Sequence, residues 1–575
     1  MLQVLRRAAE AFLALCYTPP MFESAEVGAE VDKKTYEREA RKVRSALLEA
    51  QKKLAGSGES VVVIVGGVEG AGKSETVNLL LEWMDARGVA VQTFFDQGEE
   101  ERERPEYWKF WRVLPPKGRI GIFFGSWYTR PIVEKVFGKI SGVELDVALD
   151  RVVDFERMLS QENVTVVKFW MHLSKKAQKK RFKELEKDPL TAWRISKQDW
   201  KFFKHYDEFR EVSEHALRRT GTGVSPWHIV EARDARFRSL SVARTLLEVL
   251  EGRVAAGAAR AAKKREAAAA AAKGEPKEKL ALPVPAKVNL LSQLDLTRTV
   301  DPGGYQEKQL KLQGKLNRLM RELEGADRSA ILVFEGPDAA GKGGAIRRLT
   351  GAIDARLYEV KSVAAPTDEE RAHPYLWRFW RALPRRGHVT IYDRSWYGRV
   401  LVERIEGFAA PEDWQRAYVE INAFEEQLVE QGTVIVKFWL AISADEQLRR
   451  FKDREVTPYK QYKITEEDWR NRAKWNAYQA AACETFEKTS TEIAPWTLVE
   501  ANDKPWARLK VLRTVVDALE VALEGKKAKK AGKGLSRDEK RDEKESQETA
   551  VKGGKKGKKG AAEVVEKPAK KGAPQ

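Results

Sequence analysis

One glycine-rich turn ending in lysine is written into this chain twice, and its surroundings repeat in step with it. Gly67-Val68-Glu69-Gly70-Ala71-Gly72-Lys73-Ser74 and Gly336-Pro337-Asp338-Ala339-Ala340-Gly341-Lys342-Gly343 stand 269 residues apart. The same interval carries Trp108 and Trp111 to Trp377 and Trp380, Ser126-Trp127-Tyr128 to Ser395-Trp396-Tyr397, Lys168-Phe169-Trp170 to Lys437-Phe438-Trp439, and Pro226-Trp227 to Pro495-Trp496. Solenoid repeats are far shorter, so the chain holds a duplicated domain.

Each copy opens with a helical pattern, residues 35–55 and 305–324. Val61 to Val65 and Ala330 to Phe334 follow, apolar runs without polar alternation, as strands buried on both faces of a parallel sheet require. The glycine turns come next, and further apolar runs such as Val389 to Tyr392 and Thr433 to Leu440 alternate with helical stretches. The expected fold is α/β: two tandem P-loop domains, each an open parallel sheet flanked by helices. The expected units are residues 21–250, an Ala/Lys-rich linker over 251–287 that is helical in part, and a second domain over 288–525. Tyr17-Thr18-Pro19-Pro20 interrupts any helix before Met21, and residues 1–20 read as a dispensable extension.

Bulk properties narrow the function classes. Two cysteines, Cys16 and Cys483, supply neither a disulfide framework nor a metal quartet, which fits the cytoplasm. No apolar run approaches a membrane span, and Glu10 interrupts the one stretch that resembles an export signal. The net charge of +18 would suit a nucleic-acid binder, but residues 526–575 alone hold 17 Lys and Arg against 8 Asp and Glu. Half of the excess thus sits in a tail with almost no apolar content, expected to be disordered, so nucleic acid is disfavoured as a partner.

The glycine turn carries the chemistry. Glycines aim backbone N–H groups at phosphate oxygens, and the lysine and helix N-terminus add positive charge. The first copy keeps the usual Lys73-Ser74 ending, whereas Gly343 stands where a metal-binding hydroxyl is customary. The other charges reverse the choice. Asp338 inside the second loop and Asp393 at the end of a strand can hold a metal at the phosphates, and Arg394 follows directly. The first copy has Glu69, Phe124 and Gly125 at these positions. Arg450 and Arg454, spaced to share a helix face, can close over a phosphoryl group, whereas Leu185 stands opposite Arg454 in the first copy. The tryptophans recur in both copies and read as framework, and His373, facing Arg104 in the repeat, reads as structural. No Ser/His/Asp triad or zinc-type cluster is evident, which leaves phosphoryl transfer.

The second loop, the run Asp393-Arg394-Ser395-Trp396-Tyr397-Gly398-Arg399, the arginine helix and Lys460-Gln461-Tyr462-Lys463-Ile464-Thr465 together resemble the polyphosphate kinase 2 family. The tandem layout is similar to its fused polyphosphate:AMP phosphotransferase subgroup. The resemblance implies a thymidylate-kinase-like P-loop fold, Mg2+, inorganic polyphosphate as donor and a nucleoside monophosphate as acceptor. It places catalysis on Asp338, Lys342, Asp393, Arg394 and Arg454, with the metal on Asp338 and Asp393. Phosphate contacts are expected from Gly336, Ala339, Ala340, Gly341, Gly343, Arg347, Arg399, Arg450 and Lys463. An ATP-dependent nucleotide kinase and a non-catalytic polyphosphate- or nucleic-acid-binding protein remain the alternatives. Homo-oligomerisation is left open.

Overall fold

The computed structural model describes residues 21–94, 98–272 and 282–524. The expected extension over 1–20 and the whole of the basic tail lie outside the described residues. The first copy runs α1 (Lys33–Leu54), β1 (Ser60–Gly67), α2 (Lys73–Trp83), β2 (Val89–Thr93), α3 (Trp108–Arg112), β3 (Ile120–Phe124), α4 (Gly142–Gln161), β4 (Val164–His172), α5 (Lys175–Lys187), β5 (Trp227–Glu231) and α6 (Ala235–Ala272). The second runs α7 (Pro302–Gly325), β6 (Ser329–Glu335), α8 (Lys342–Thr350), β7 (Tyr358–Ser362), α9 (Trp377–Arg381), β8 (Val389–Asp393), α10 (Pro411–Glu430), β9 (Thr433–Ala441), α11 (Ala444–Val456), α12 (Glu466–Ala473) and β10 (Trp496–Glu500). Short turns and helices connect them.

Each copy forms a five-stranded parallel sheet, in the orders β2-β3-β1-β4-β5 and β7-β8-β6-β9-β10. The topology is the same in both. The central strands β1 and β6 are buried along almost their whole length, which is why they read as unbroken apolar runs. The glycine turn leaves the C-terminal end of that central strand, where open α/β sheets place their ligands.

Beneath each sheet lies the same buried ion pair. Lys437 Nζ donates to Glu425 (2.7 Å), Tyr397 Oη (2.9 Å) and Thr489 O (2.7 Å). Lys168 does the same to Glu156 (2.7 Å), Tyr128 (3.0 Å) and Thr220 O (2.8 Å). Trp396 and Trp127 donate their indole N–H to the same two glutamates, both at 3.0 Å. The recurring Trp-Tyr and Lys-Phe-Trp motifs are therefore a framework, each charge paired and hydrogen-bonded as burial demands.

The two copies share one apolar core across their boundary. Trp111 and Trp380, equivalent in the repeat, stack on each other with ring centroids 5.6 Å apart and planes 12° from parallel. Lys117 N donates to Ala372 O at 2.8 Å, and Arg416 is ion-paired with Glu162 of the first copy.

The boundary expected at 250 falls inside α6. Alanine-rich sequence favours helix, and the helix stays packed after residue 250: a Cβ on Gly257 would lie 2.5 Å from Ser57 O, and Arg260 pairs with Glu59. The first unit therefore extends beyond the expected boundary, and at least the first part of the expected linker is a docked helix.

Candidate active site

The second glycine turn is shaped by close approaches that exclude side chains. Gly336 has φ 138°, and a Cβ there would come within 2.6 Å of Leu440 O on β9. Ala339 and Gly341 also have positive φ, 63° and 109°. Among the described residues, the amides of Asp338, Ala339, Gly341, Lys342 and Gly343 donate to no protein acceptor, so they stand ready for phosphate oxygens at the start of α8. Lys342 Nζ folds over the loop onto Gly336 O (2.7 Å) and Pro337 O (3.2 Å).

Asp338 is the hub. One carboxylate oxygen accepts from Arg394 at 2.8 Å, the other from Asn471 Nδ2 at 2.9 Å. Burial alone would raise its pKa, but the Lys342 and Arg394 charges and the Asn471 hydrogen bond together hold it below its ordinary value. Arg394 reaches Asp338 from the end of β8 with φ 64°, a left-handed backbone that few non-glycine residues adopt. Asp393, the last residue of β8, lies in register with Phe334 and Ser362. Its carboxylate makes no hydrogen bond or ion pair among the described residues.

Two residues at the site were not foreseen. Glu335, the last residue of β6, is buried and accepts from Ser395 Oγ at 2.8 Å; burial pushes its pKa up against the pull of that hydrogen bond, Lys342 and Arg394. Asn471, on α12, braces Asp338. Their counterparts in the first copy are Gly66 and Phe202, so a position-by-position comparison of the copies would have exposed both.

Arg450 is seated differently from the expected phosphate ligand. Its guanidinium is buried and donates to Glu446 (2.5 Å), Ala339 O and Ala340 O (both 2.9 Å), Ala501 O (2.7 Å) and Asn502 O (2.9 Å). Every nitrogen is occupied, which makes Arg450 a strut under the loop. In the first copy the same strut comes from another helix: Arg238 on α6 donates to Ala71 O at 3.4 Å and Ala232 O at 3.3 Å, the equivalents of Ala340 and Ala501. Gln447, one turn before Arg450 on α11, donates to Asp338 O at 3.1 Å.

Arg454 continues the row of Gln447 and Arg450 along α11 and donates to Lys463 O at 3.1 Å. Lys463 and Arg347 are exposed. Arg399 is turned into the fold, over the Tyr375 ring at 4.0 Å and ion-paired with Glu403 at 3.1 Å. Arg130 pairs with Glu134 at 3.0 Å in the first copy, so the same pairing is present in both copies.

The first copy's turn is neutralised from within. Lys73 Nζ is held by both oxygens of Glu69 at 3.1 Å, and Glu75 is bonded by Arg181 (3.1 Å), Arg194 (2.9 Å) and Arg238 (2.8 Å).

The polyphosphate kinase 2 family model matches residues 30–256 and again 299–527. The chain belongs to the polyphosphate kinase 2 family. It is 54% identical over 506 residues to a polyphosphate:AMP phosphotransferase of Pseudomonas aeruginosa, covering 87% of this chain and 99% of that one. It is 38% identical over 464 residues to one of Acinetobacter johnsonii, with 80% and 91% covered. The crystal structure of a polyphosphate kinase 2 protein from Pseudomonas aeruginosa PA01 superposes with a TM-score of 0.76 at 50% identity, over 88% of this chain and 100% of that one. Kinases of this family generally need a divalent metal. Among the described residues no three His, Cys, Asp or Glu side chains converge, so a divalent cation here would take most of its shell from water and phosphate. Ionised Asp338 and unpaired Asp393 suit a hard cation held that way. No described helix is long and apolar enough to cross a membrane.

Proposed function

We propose that the second domain transfers the terminal phosphoryl group of inorganic polyphosphate to a nucleoside monophosphate, converting AMP to ADP in the cytoplasm. One observation carries the assignment to this domain: Asp338 and Lys342 of the phosphate loop meet Arg394 from the end of β8, and the first copy lacks the equivalents of Arg394, Asp393 and Asn471. The acceptor follows from the relatives' names and from coverage of their whole length.

The acceptor phosphate already carries an anionic oxygen near neutral pH, so no strong general base is required. That oxygen attacks the terminal phosphorus, the anhydride P–O bond breaks, and the chain leaves one unit shorter with the bond's electrons. The protein's task is to hold two polyanions in line and offset their repulsion. Loop amides and Lys342 hold the donor's terminal oxygens, Arg394 neutralises charge spreading over the transferred group, and Arg454 with Lys463 and Arg347 steadies the chain around it. Asp338 orients Arg394. Mg2+, the cation we assign to Asp338 and Asp393, would screen the phosphate oxygens. Turnover with polyphosphate or ATP as sole donor, against AMP, GMP, ADP and GDP, tests the reading; turnover with ATP alone would make the protein an ordinary nucleotide kinase.

A further inference from the structure

A cavity of about 660 Å³ runs along β7, the edge strand of the second sheet, and Arg104 of the first domain reaches its lining. Six of its lining side chains are Arg or Lys and two are Glu. Most of the cations have a carboxylate of their own. Lys361 pairs with Glu359, Arg378 with Glu370 at 3.3 Å, Arg381 with Glu369 at 3.2 Å and Arg356 with Asp354 at 2.7 Å.

Two guanidinium groups are left over, and they come from different domains. Arg104 of the first copy is fixed by carbonyls, Nε on Leu383 O at 3.3 Å and Nη1 on Glu100 O at 3.1 Å, and it stacks over Trp108 at 4.5 Å. Arg385 reaches only His388, at 3.5 Å, and makes no ion pair among the described residues. Burial lowers the Arg104 pKa and the Arg385 charge adds to that, against the opposing pull of Glu100 and Glu103. The fold demands no cation at Arg385 or Lys361, because Pro116 and Gln92 hold those places in the first copy. Arg104 and Arg385 line one cavity from two domains and neither makes an ion pair among the described residues, which suits an anion from outside.

The lining also selects the kind of anion. Trp377 is 3% exposed and sandwiched between His373 (3.8 Å) and Arg381 (4.4 Å), and Tyr358 packs against the core. The largest ring in the lining thus has both faces covered, and the charged lining is mostly cationic, which favours a chain of phosphates. The groove leads toward the reaction centre. Lys361 precedes Ser362, which is in register with Asp393, while Arg385 and His388 lie near the opposite ends of the strands, about 16 Å away at ~3.3 Å per residue.

We propose that this inter-domain groove anchors a stretch of the polyphosphate chain remote from its reacting end, with Arg104 and Arg385 as its central cations. The inference rests on polyphosphate being the donor. It gives the first domain a share in substrate binding through Arg104, independent of its own glycine turn. In the full chain, Arg104→Gln/Arg385→Gln should raise KM for chains of many tens of phosphates about threefold to tenfold. The same variant should leave kcat, KM for AMP and KM for tripolyphosphate unchanged, because three phosphates cannot span the roughly 16 Å from the reaction centre to the Arg385 end of the groove. Arg385→Gln alone, at an exposed position without a structural bond, should show about half of the effect on a logarithmic scale and guards against misfolding of the double variant. An unchanged KM for long chains, or an equal loss on short ones, overturns the anchor. Failure of the unaltered protein to use polyphosphate at all would instead reject the donor assignment, and the anchor with it.

Discussion

Arg394 and Gly125 directly follow equivalent strands with the same left-handed backbone, φ 64° and 69°. Glycine adopts it freely, whereas arginine pays about 1–2 kcal/mol. The second copy bears that strain where the guanidinium meets Asp338. Arg394→Gly should therefore melt within a few degrees of the unaltered protein, while kcat falls about 10²- to 10³-fold. Parallel thermal melts and turnover measurements check it; a stable variant with full turnover would show that the strained arginine serves no chemistry.

Asn471→Phe gives the second site the first copy's residue and removes one of the two hydrogen bonds that orient Asp338. A brace of this kind is worth about tenfold to a hundredfold in activity or metal affinity. We expect turnover to fall within that range and the divalent-metal concentration for half-maximal turnover to rise. An unchanged metal titration would confine Asn471 to a structural role.

The strut under the loop comes from different helices in the two copies, Arg450 on α11 and Arg238 on α6. Arg450→Ala leaves four carbonyls without their buried donor and should cost about 2–4 kcal/mol with a large loss of turnover. Ala507 is the equivalent of Arg238, so Arg450→Ala/Ala507→Arg should recover part of both. Chemical denaturation of the two variants measures this. A double variant no more stable than the single one would refute the equivalence.

At the domain boundary, Glu420 bonds Arg416, which also pairs with Glu162. Burial, opposed by Arg416 and reinforced by Glu162, pushes the Glu420 pKa up to about 7. The folded chain then keeps a proton that the unfolded chain releases above its ordinary carboxylate pKa, so this group's contribution to stability falls as pH rises from about 5 to 7. Glu420→Gln removes that dependence and should gain on the unaltered protein across this window, by about 1–3 kcal/mol. Melting temperatures at pH 5 and pH 8 decide it; a constant gap would show that Glu420 does not titrate there.

The duplication and the sheets were legible because β1 and β6 are apolar without interruption and the repeat interval never slips. Arg450 was not, because helical spacing puts it on a face with Arg454 without saying how deep each lies; the loop carbonyls and Ala501 enclose the one and leave the other at the helix end. Glu335 was missed because a carboxylate before a glycine turn looks like a strand boundary, and Asn471 because it lies outside every motif. The alanine-rich stretch past residue 250 looks like a linker by composition, yet Gly257 fits against Ser57 only as part of a packed helix.

The division of labour between the copies is tested most directly by one comparison in the full chain: Lys73→Ala against Lys342→Ala, with saturating polyphosphate, AMP and Mg2+. Lys73 is already held by Glu69, so its removal should leave turnover within about twofold. Loss of Lys342, which makes no ion pair among the described residues, should lower turnover by about three orders of magnitude. Comparable losses in both variants, or activity surviving Lys342→Ala, would contradict the assignment of catalysis to the second domain.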